Sequence, residues 1–218
     1  MNETLHIPRF RSTNRLVAWM ERNWRFVEGG RLPRDRERCF FRTKKEDRPE
    51  VAACVAKYAR WAGRLPECED LLLGYNDSVS LYLRHVHNRG DEASKVLVDS
   101  LSGDGRNLYS WARRVGRLPK HLEDTITESR FLFLYAKEVL RGRLPSHLEL
   151  RFIGDDYHSG KYAFEIVRGF APVRLPDEMH NFMVMKSYAE PNNKYVRAYI
   201  EACDSDPNVV GNSESKVI

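Results

Sequence analysis

Apolar residues in this chain come in bursts at helical spacing. Phe131, Leu132, Phe133, Leu134, Tyr135 and Ala136 lead through Val139 and Leu140 to Gly142, and a shorter stretch holding Leu148 and Phe152 follows. Seven positions beyond Pro33, Pro66, Pro119, Pro145 and Pro176 stand Phe40, Leu73, Ile126, Phe152 and Met183, all apolar. Three positions beyond the last three of these prolines, Leu122, Leu148 and Met179 supply the i, i+4 partner that gives a helix one buried face. The longer burst predicts a helix, A, stopped at glycine, the favoured residue for a left-handed terminus. The shorter burst predicts a second helix, B, opened by proline, whose fixed φ and missing N–H suit the first helical position. Gly63, Gly116 and Gly142 are therefore expected to end helices, Pro66, Pro119 and Pro145 to open them, and residues 51–203 to contain essentially no strand.

The same punctuation recurs as a word. Gly-Arg-Leu-Pro occurs at Gly30 to Pro33, Gly63 to Pro66, Gly116 to Pro119 and Gly142 to Pro145, with a degenerate copy, Val173-Arg174-Leu175-Pro176. The prolines are 33, 53, 26 and 31 residues apart, and the long interval suggests a hidden copy centred on Gly90, preceded by Leu81-Tyr82 as Gly142 is by Leu134-Tyr135. Self-similarity at such periods is the mark of stacked supersecondary units. The fold class expected is all-α: an α-solenoid of about six short helix-pair repeats. Residues 1–50 are expected to form a basic N-terminal capping unit or arm, 51–203 the α-helical repeat domain, and 204–218 a flexible tail.

Polar positions recur too. Four beyond each proline stand Glu37, Asp70, Glu123 and Glu149, with His180 in the last copy, and an acid in an early turn suits the helix dipole. Two before each proline stand Arg31, Arg64, Arg117, Arg143 and Arg174. Each guanidinium has a structural reading, a clamp on the helix B acid or on a neighbouring helix end, and a functional one, a rung in a ladder for phosphates or acidic partners. The structural reading is preferred. Tyr58, Tyr82, Tyr109, Tyr135 and Tyr162 fall in A helices and are expected to pack in the core with the hydroxyl at its rim.

Charge is uneven. Residues 1–48 hold 13 Lys+Arg against 7 Asp+Glu, whereas the other 170 residues are close to neutral. Arg9, Arg11, Arg15, Arg22, Arg25, Lys44 and Lys45 alternate there with Phe10, Trp19, Trp24, Phe26, Phe40 and Phe41. Such a mixture either grips nucleic acid or forms the polar outer face of a capping unit, with Trp19, Trp24 and Phe26 facing inward. Arg9, Arg11, Arg15, Lys44 and Lys45 are the candidate residues for nucleic acid or an acidic partner. Cys39, Cys54, Cys68 and Cys203 form no Cys-x-x-Cys and imply a reducing compartment. Met1 to Phe10 lack the apolar core of a signal peptide, and no run approaches a membrane span, so a soluble cytoplasmic protein is expected.

Little in the sequence points to catalysis. His85 and His87 lie two apart on a predicted helix and diverge too far to share a metal. His121 and His147 occupy equivalent places in two copies, while Gly103-Asp104-Gly105 and Gly154-Asp155-Asp156 read as turns between units. The expectation is a non-enzymatic chain with no catalytic residue, metal or cofactor.

The stretch Leu134 to Glu149 resembles the short helical repeat Tyr-Ala-x-x-Val-x-x-Gly-Arg-x-Pro-x-x-x-Glu of tailed-bacteriophage proteins, most of them functionally uncharacterised. The resemblance covers roughly residues 51–186 and departs at Val173, where glycine is missing, and at Arg89-Gly90, where Leu-Pro is missing. It implies a phage-encoded α-solenoid in the host cell cytoplasm and brings no catalytic residue. Two functions stay open: a protein-interaction module, plausibly an inhibitor or adaptor acting on a host protein or defence complex, and a nucleic-acid-binding protein using the basic N-terminal segment. A positive stripe joining residues 9–45 to the five repeated arginines would favour the second.

Overall fold

The computed structural model describes residues 7–41, 47–169 and 174–205; Lys44, Lys45 and residues 206–218 lie outside that range. Among the described residues every regular element is helical, as the spacing predicts. Compactness divides the chain into two units, Met1–Arg114 and Val115–Ile218.

The first unit contains α1 (Thr13–Asn23), α2 (Arg34–Glu37), α3 (Arg48–Ala62), α4 (Asn76–Asn88), α5 (Lys95–Asp99) and α6 (Gly105–Val115), with a 3₁₀ helix at Pro66–Leu71 between α3 and α4. Helix α3 packs against both α1 and α4. Its sequence explains why: Val51, Val55, Tyr58 and Trp61 are buried together with Ala52, Ala56 and Ala59, so it is apolar nearly all round, as a helix with neighbours on two sides must be. Leu16, Val17 and Met20 of α1 and Val79, Tyr82, Leu83 and Val86 of α4 complete this core. Each large apolar side chain so buried contributes roughly 1.5–3 kcal/mol.

The second unit contains α7 (Lys120–Glu123), α8 (Ser129–Leu134) running into a π-helical turn at Tyr135–Leu140, α9 (Ser146–Glu149), α10 (Asp156–Gly169), α11 (Asp177–Ala189) and α12 (Lys194–Ser205). Helix α10 packs on α8 and α12, and α11 on α12. Residue 50, the expected end of the capping unit, falls within α3, and residues 204 and 205 belong to α12.

The glycines behave as expected in two of three places. Gly63 (φ 72°) and Gly116 (φ 90°) follow the last residues of α3 and α6 in the left-handed region. Gly142 does not: Arg141 takes the left-handed conformation instead, at φ 49°. The π turn holds one residue more than an α turn, so the terminus arrives one position before the glycine meant for it. Pro33, Pro119, Pro145 and Pro176 stand immediately before α2, α7, α9 and α11, and Pro66 is the first residue of its 3₁₀ helix.

The second copy is displaced by one residue. A 3₁₀ helix turns in fewer residues than an α-helix, so Leu72 rather than Leu73 is buried there, and Glu69 rather than Asp70 faces the arginine. In the long interval, Gly90 (φ 79°) follows α4 and Ser94 stands where the other copies have proline. Buried Leu97 and Leu101 lie three and seven positions beyond it, as in the other copies.

Candidate functional site

The repeated polar residues meet in one constellation. In the first copy the N–H of Leu32 donates to the Tyr58 hydroxyl (2.7 Å), which donates to Glu37 (2.7 Å), and Arg31 donates to both oxygens of that carboxylate (3.3 Å each). In the third, Leu118 donates to Tyr135 (3.0 Å), Tyr135 to Glu123 (2.9 Å) and Arg117 to Glu123 (3.3 Å). In the fourth the corresponding distances are 2.9 Å for Leu144 to Tyr162, 2.7 Å for Tyr162 to Glu149, and 2.9 and 2.6 Å for Arg143 to Glu149. The second copy uses Leu65, Tyr82, Glu69 and Arg64. The last keeps Leu175 to Tyr199 at 3.1 Å but sets His180 beside the phenol, and Arg174 turns to Asp177.

The sequence places such tyrosine rings in the core with the hydroxyl at its rim. The rings are buried as expected, and the hydroxyls are buried with them, because each accepts the backbone N–H of the leucine before proline, which has no other partner among the described residues. Tyr199 belongs to the set and Tyr109, only half-buried, does not. Burial pushes all five phenols above their ordinary value. Glu37, Glu123 and Glu149 are almost wholly buried, and a phenol and a guanidinium both donate to each, as buried polar groups require.

Several of these arginines also reach the next copy. Arg31 bonds Glu67 as well as Glu37, and Arg143 donates to the carbonyl of Arg174 at 2.9 Å. Arg151 donates to the carbonyls of Asp124 and Ile126, and His147 bonds Asp124 at 2.6 Å. The five arginines therefore face carboxylates of their own or adjoining copies.

Of the N-terminal candidates, Arg9 and Arg11 precede α1, Arg15 lies in its first turn, and all three are exposed. Lys44 and Lys45 fall outside the described residues. Trp24 and Phe26 do not face inward: a 3₁₀ turn at Trp24–Phe26 breaks the register of α1, leaving them 44% and 70% exposed.

That turn helps to form a cleft of about 400 Å³ lined by Trp24, Arg25, Val27, Gly30, Arg60, Trp61 and Arg89. Arg60 also acts on His85, which burial and then Arg84, Arg60 and Arg114 push down to about 4. Arg114 is itself held below its ordinary value by burial, then by Arg84 and Arg113. Arg25, Arg60, Arg84, Arg89 and Arg114 have no ion-pair partner among the described residues. Asp91, beside Arg89 across Gly63, accepts the backbone N–H of Arg64 at 3.0 Å.

The second unit has a wider cleft, about 680 Å³, lined by Asp156, Tyr157, Ala189, Glu190 and residues 191–195. Its base is fixed by buried Lys186, which pairs with Asp156 (2.7 Å) and Glu190 (3.2 Å). Tyr157, Met185 and Tyr188 are exposed beside it.

The remaining candidates have local roles. His85 faces arginines while His87 meets the edge of Trp111. The turn acids are helix caps: Asp104 accepts the N–H of Asn107 and Asp155 those of Tyr157 and His158. All four cysteines are buried and reduced, and burial raises the thiols of Cys39 and Cys68 to about 11 and about 12. Among the described residues no group of three His, Cys, Asp or Glu is placed to hold a metal, and no helix is long and apolar enough to cross a membrane. Comparison with protein-family models, curated proteins and solved structures finds no match.

Proposed function

We propose that the chain is a non-enzymatic protein-interaction module, an α-solenoid of about six short helix-pair repeats that recognises a host protein or protein complex. The observation that carries this reading is the exposed group Tyr157, Met185 and Tyr188. Met185 and Tyr188 are three residues apart on α11 and so share a face, and Tyr157 lies across the cleft that Ala189 also lines. Large aromatic and methionine side chains are enriched where proteins bind one another, and the Lys186 ion pairs give them a fixed base. The recurring joint supports the scaffold half of the reading, because a unit too small to fold alone needs the same buried connection rebuilt in every copy. The resemblance of residues 134–149 to phage repeats supports a phage-encoded inhibitor or adaptor working in the host cytoplasm.

The test is a pull-down from host lysate with the full chain and with Met185→Glu/Tyr188→Glu, with and without nuclease, followed by reconstitution with the purified partner. The expected result is a nuclease-resistant partner that the double variant no longer retains. Recovery that disappears with nuclease, or that the double variant leaves unchanged, refutes the proposal.

A further inference from the structure

We infer that the cleft of the first unit binds single-stranded nucleic acid, with Arg25, Arg60 and Arg89, which line it, and Arg84 and Arg114, which join Arg60 around His85, on its phosphates and Trp24 stacking a base. This goes beyond the protein-interaction reading and does not rest on it.

The first unit carries a cluster of arginines without ion-pair partners among the described residues. Arg60 and Arg114 lie in the last turns of α3 and α6, where the helix dipole favours one cation by roughly 0.3–1 kcal/mol. The dipole does not explain why Arg84 and Arg114 stand close enough to repel one another, or why His85 sits among Arg84, Arg60 and Arg114. Every repeated arginine in the Gly-Arg-Leu-Pro words is ion-paired with an acid, whereas these five form no ion pair among the described residues, Asp91 being the acid near Arg89. A like-charge cluster that weakens the fold is relieved by a polyanion.

Charge is also paired with aromatic rings in this cleft. Trp24-Arg25 and Arg60-Trp61 are adjacent in sequence and line the same cavity. Trp61 is buried and forms a wall, while Trp24 presents an open face with the Arg25 guanidinium 5.8 Å from its centroid. Each nucleotide likewise brings one charge and one flat ring, and base stacking on an aromatic face contributes roughly 1–3 kcal/mol per base. An acidic protein segment matches the charges and has no ring attached to each. All five cations are arginine, whose planar fork suits phosphate. A cavity of about 400 Å³ admits a single splayed base, and in a duplex the bases are stacked out of reach. The first unit also carries the positive charge of the protein, with 22 Lys+Arg against 16 Asp+Glu, compared with 14 against 15 in the second.

The experiment is fluorescence anisotropy of fluorescein-labelled dT12 and U12 titrated with the full chain. Binding is expected tighter than about 10⁻⁵ M at ~0.1 M salt, with a log–log salt slope of about −2 to −3.5, from roughly three to five neutralised phosphates. Arg60→Ala/Arg84→Ala is expected to weaken binding at least about tenfold and to flatten the slope by roughly 1.4, two phosphates' worth. Trp24→Ala should weaken it severalfold and Trp24→Phe restore most of the loss. Helicity of each variant is checked by circular dichroism, and Arg25→Ala/Arg89→Ala puts the same question if the first pair unfolds. Three results overturn the inference: no binding at about 10⁻⁴ M protein, the weak end of nonspecific affinity; binding that survives both arginine pairs but is lost in Arg9→Ala/Arg11→Ala/Arg15→Ala; or a labelled Glu-rich 12-residue peptide that binds as tightly as dT12 and displaces it.

Discussion

Replacing Tyr162 with phenylalanine removes one oxygen that makes two buried hydrogen bonds. It accepts the Leu144 N–H at 2.9 Å and donates to Glu149 at 2.7 Å. The N–H is left without a partner beneath a buried leucine, which costs about 1–3 kcal/mol. The carboxylate is not stranded, because Arg143 still reaches both its oxygens at 2.9 and 2.6 Å, so its loss is nearer one ordinary charge-assisted bond, about 1.5 kcal/mol. The sum is roughly 2.5–4.5 kcal/mol, with no cavity term because the ring remains. Urea denaturation followed by helical circular dichroism measures it, as a shift in midpoint at unchanged slope. Tyr188→Phe is the control: that ring is 83% exposed, and its change should stay within about 0.5 kcal/mol. A Tyr162→Phe protein within about 0.5 kcal/mol of wild type would refute the reasoning, since a buried N–H cannot lose its only partner so cheaply.

Arg143→Ala, measured in the same urea assay, should cost about 2–3 kcal/mol and Arg117→Ala less, about 1, because the side chains are 18% and 64% exposed; equal losses would contradict this. Arg141→Gly should stabilise by about 1 kcal/mol by relieving a left-handed arginine, while thermal melts of Gly142→Ala should stay near wild type, since a Cβ there meets nothing closer than 3.6 Å. His180 is held below its ordinary value by burial and then by Arg174, so the unfolded chain takes up its proton first: the His180 contribution is intact above pH ~6.5 and lost as pH falls below it. His180→Gln should flatten the pH dependence of stability in that window, and an unchanged profile would count against it. His85, at about 4 in the free protein, should titrate higher by NMR when dT12 is bound, because the anion offsets the repulsion of Arg84, Arg60 and Arg114; no upward movement would argue against phosphate at that site.

The helical class was legible because periodicity and punctuation agreed: apolar residues at three and seven beyond the prolines are buried at Leu122, Ile126, Leu148, Phe152, Met179 and Met183. Single-residue shifts escaped it. Nothing in Pro66-Glu67-Cys68-Glu69-Asp70 signals a 3₁₀ rather than an α turn, so Asp70 stood for Glu69 and Leu73 for Leu72. The π turn before Arg141 was hidden in the same way, since the i→i+5 bond is chosen by packing rather than by residue type. The repeated arginine, tyrosine and acid were each visible, but their convergence was not, because the tyrosine comes from the helix after the acid and at intervals of 12 to 21 residues.

The cationic cleft was missed for a related reason. Sequence reasoning counted forward from proline, which aligns the B segments and their joints, and in that frame Arg60, Arg84, Arg89 and Arg114 fall at unrelated positions. Counted back from the glycines, Arg60 stands three before Gly63 and Arg114 two before Gly116, both in last turns, while Arg84 and Arg89 precede Gly90. The chain thus carries two classes of arginine divided by one glycine. Those after it have an acid a few residues onward and are held by it; those before it end an A helix whose own acids, such as Glu50 and Asp77, lie in the first turn. At 1.5 Å per residue the ten residues from Glu50 to Arg60 separate those charges by about 15 Å, beyond the ~10 Å over which exposed charges interact at 0.1 M salt. An arginine left outside the reach of its own helix's carboxylates is open to an external anion, and that, rather than the count of basic residues near the N-terminus, is what sets the first-unit cleft apart.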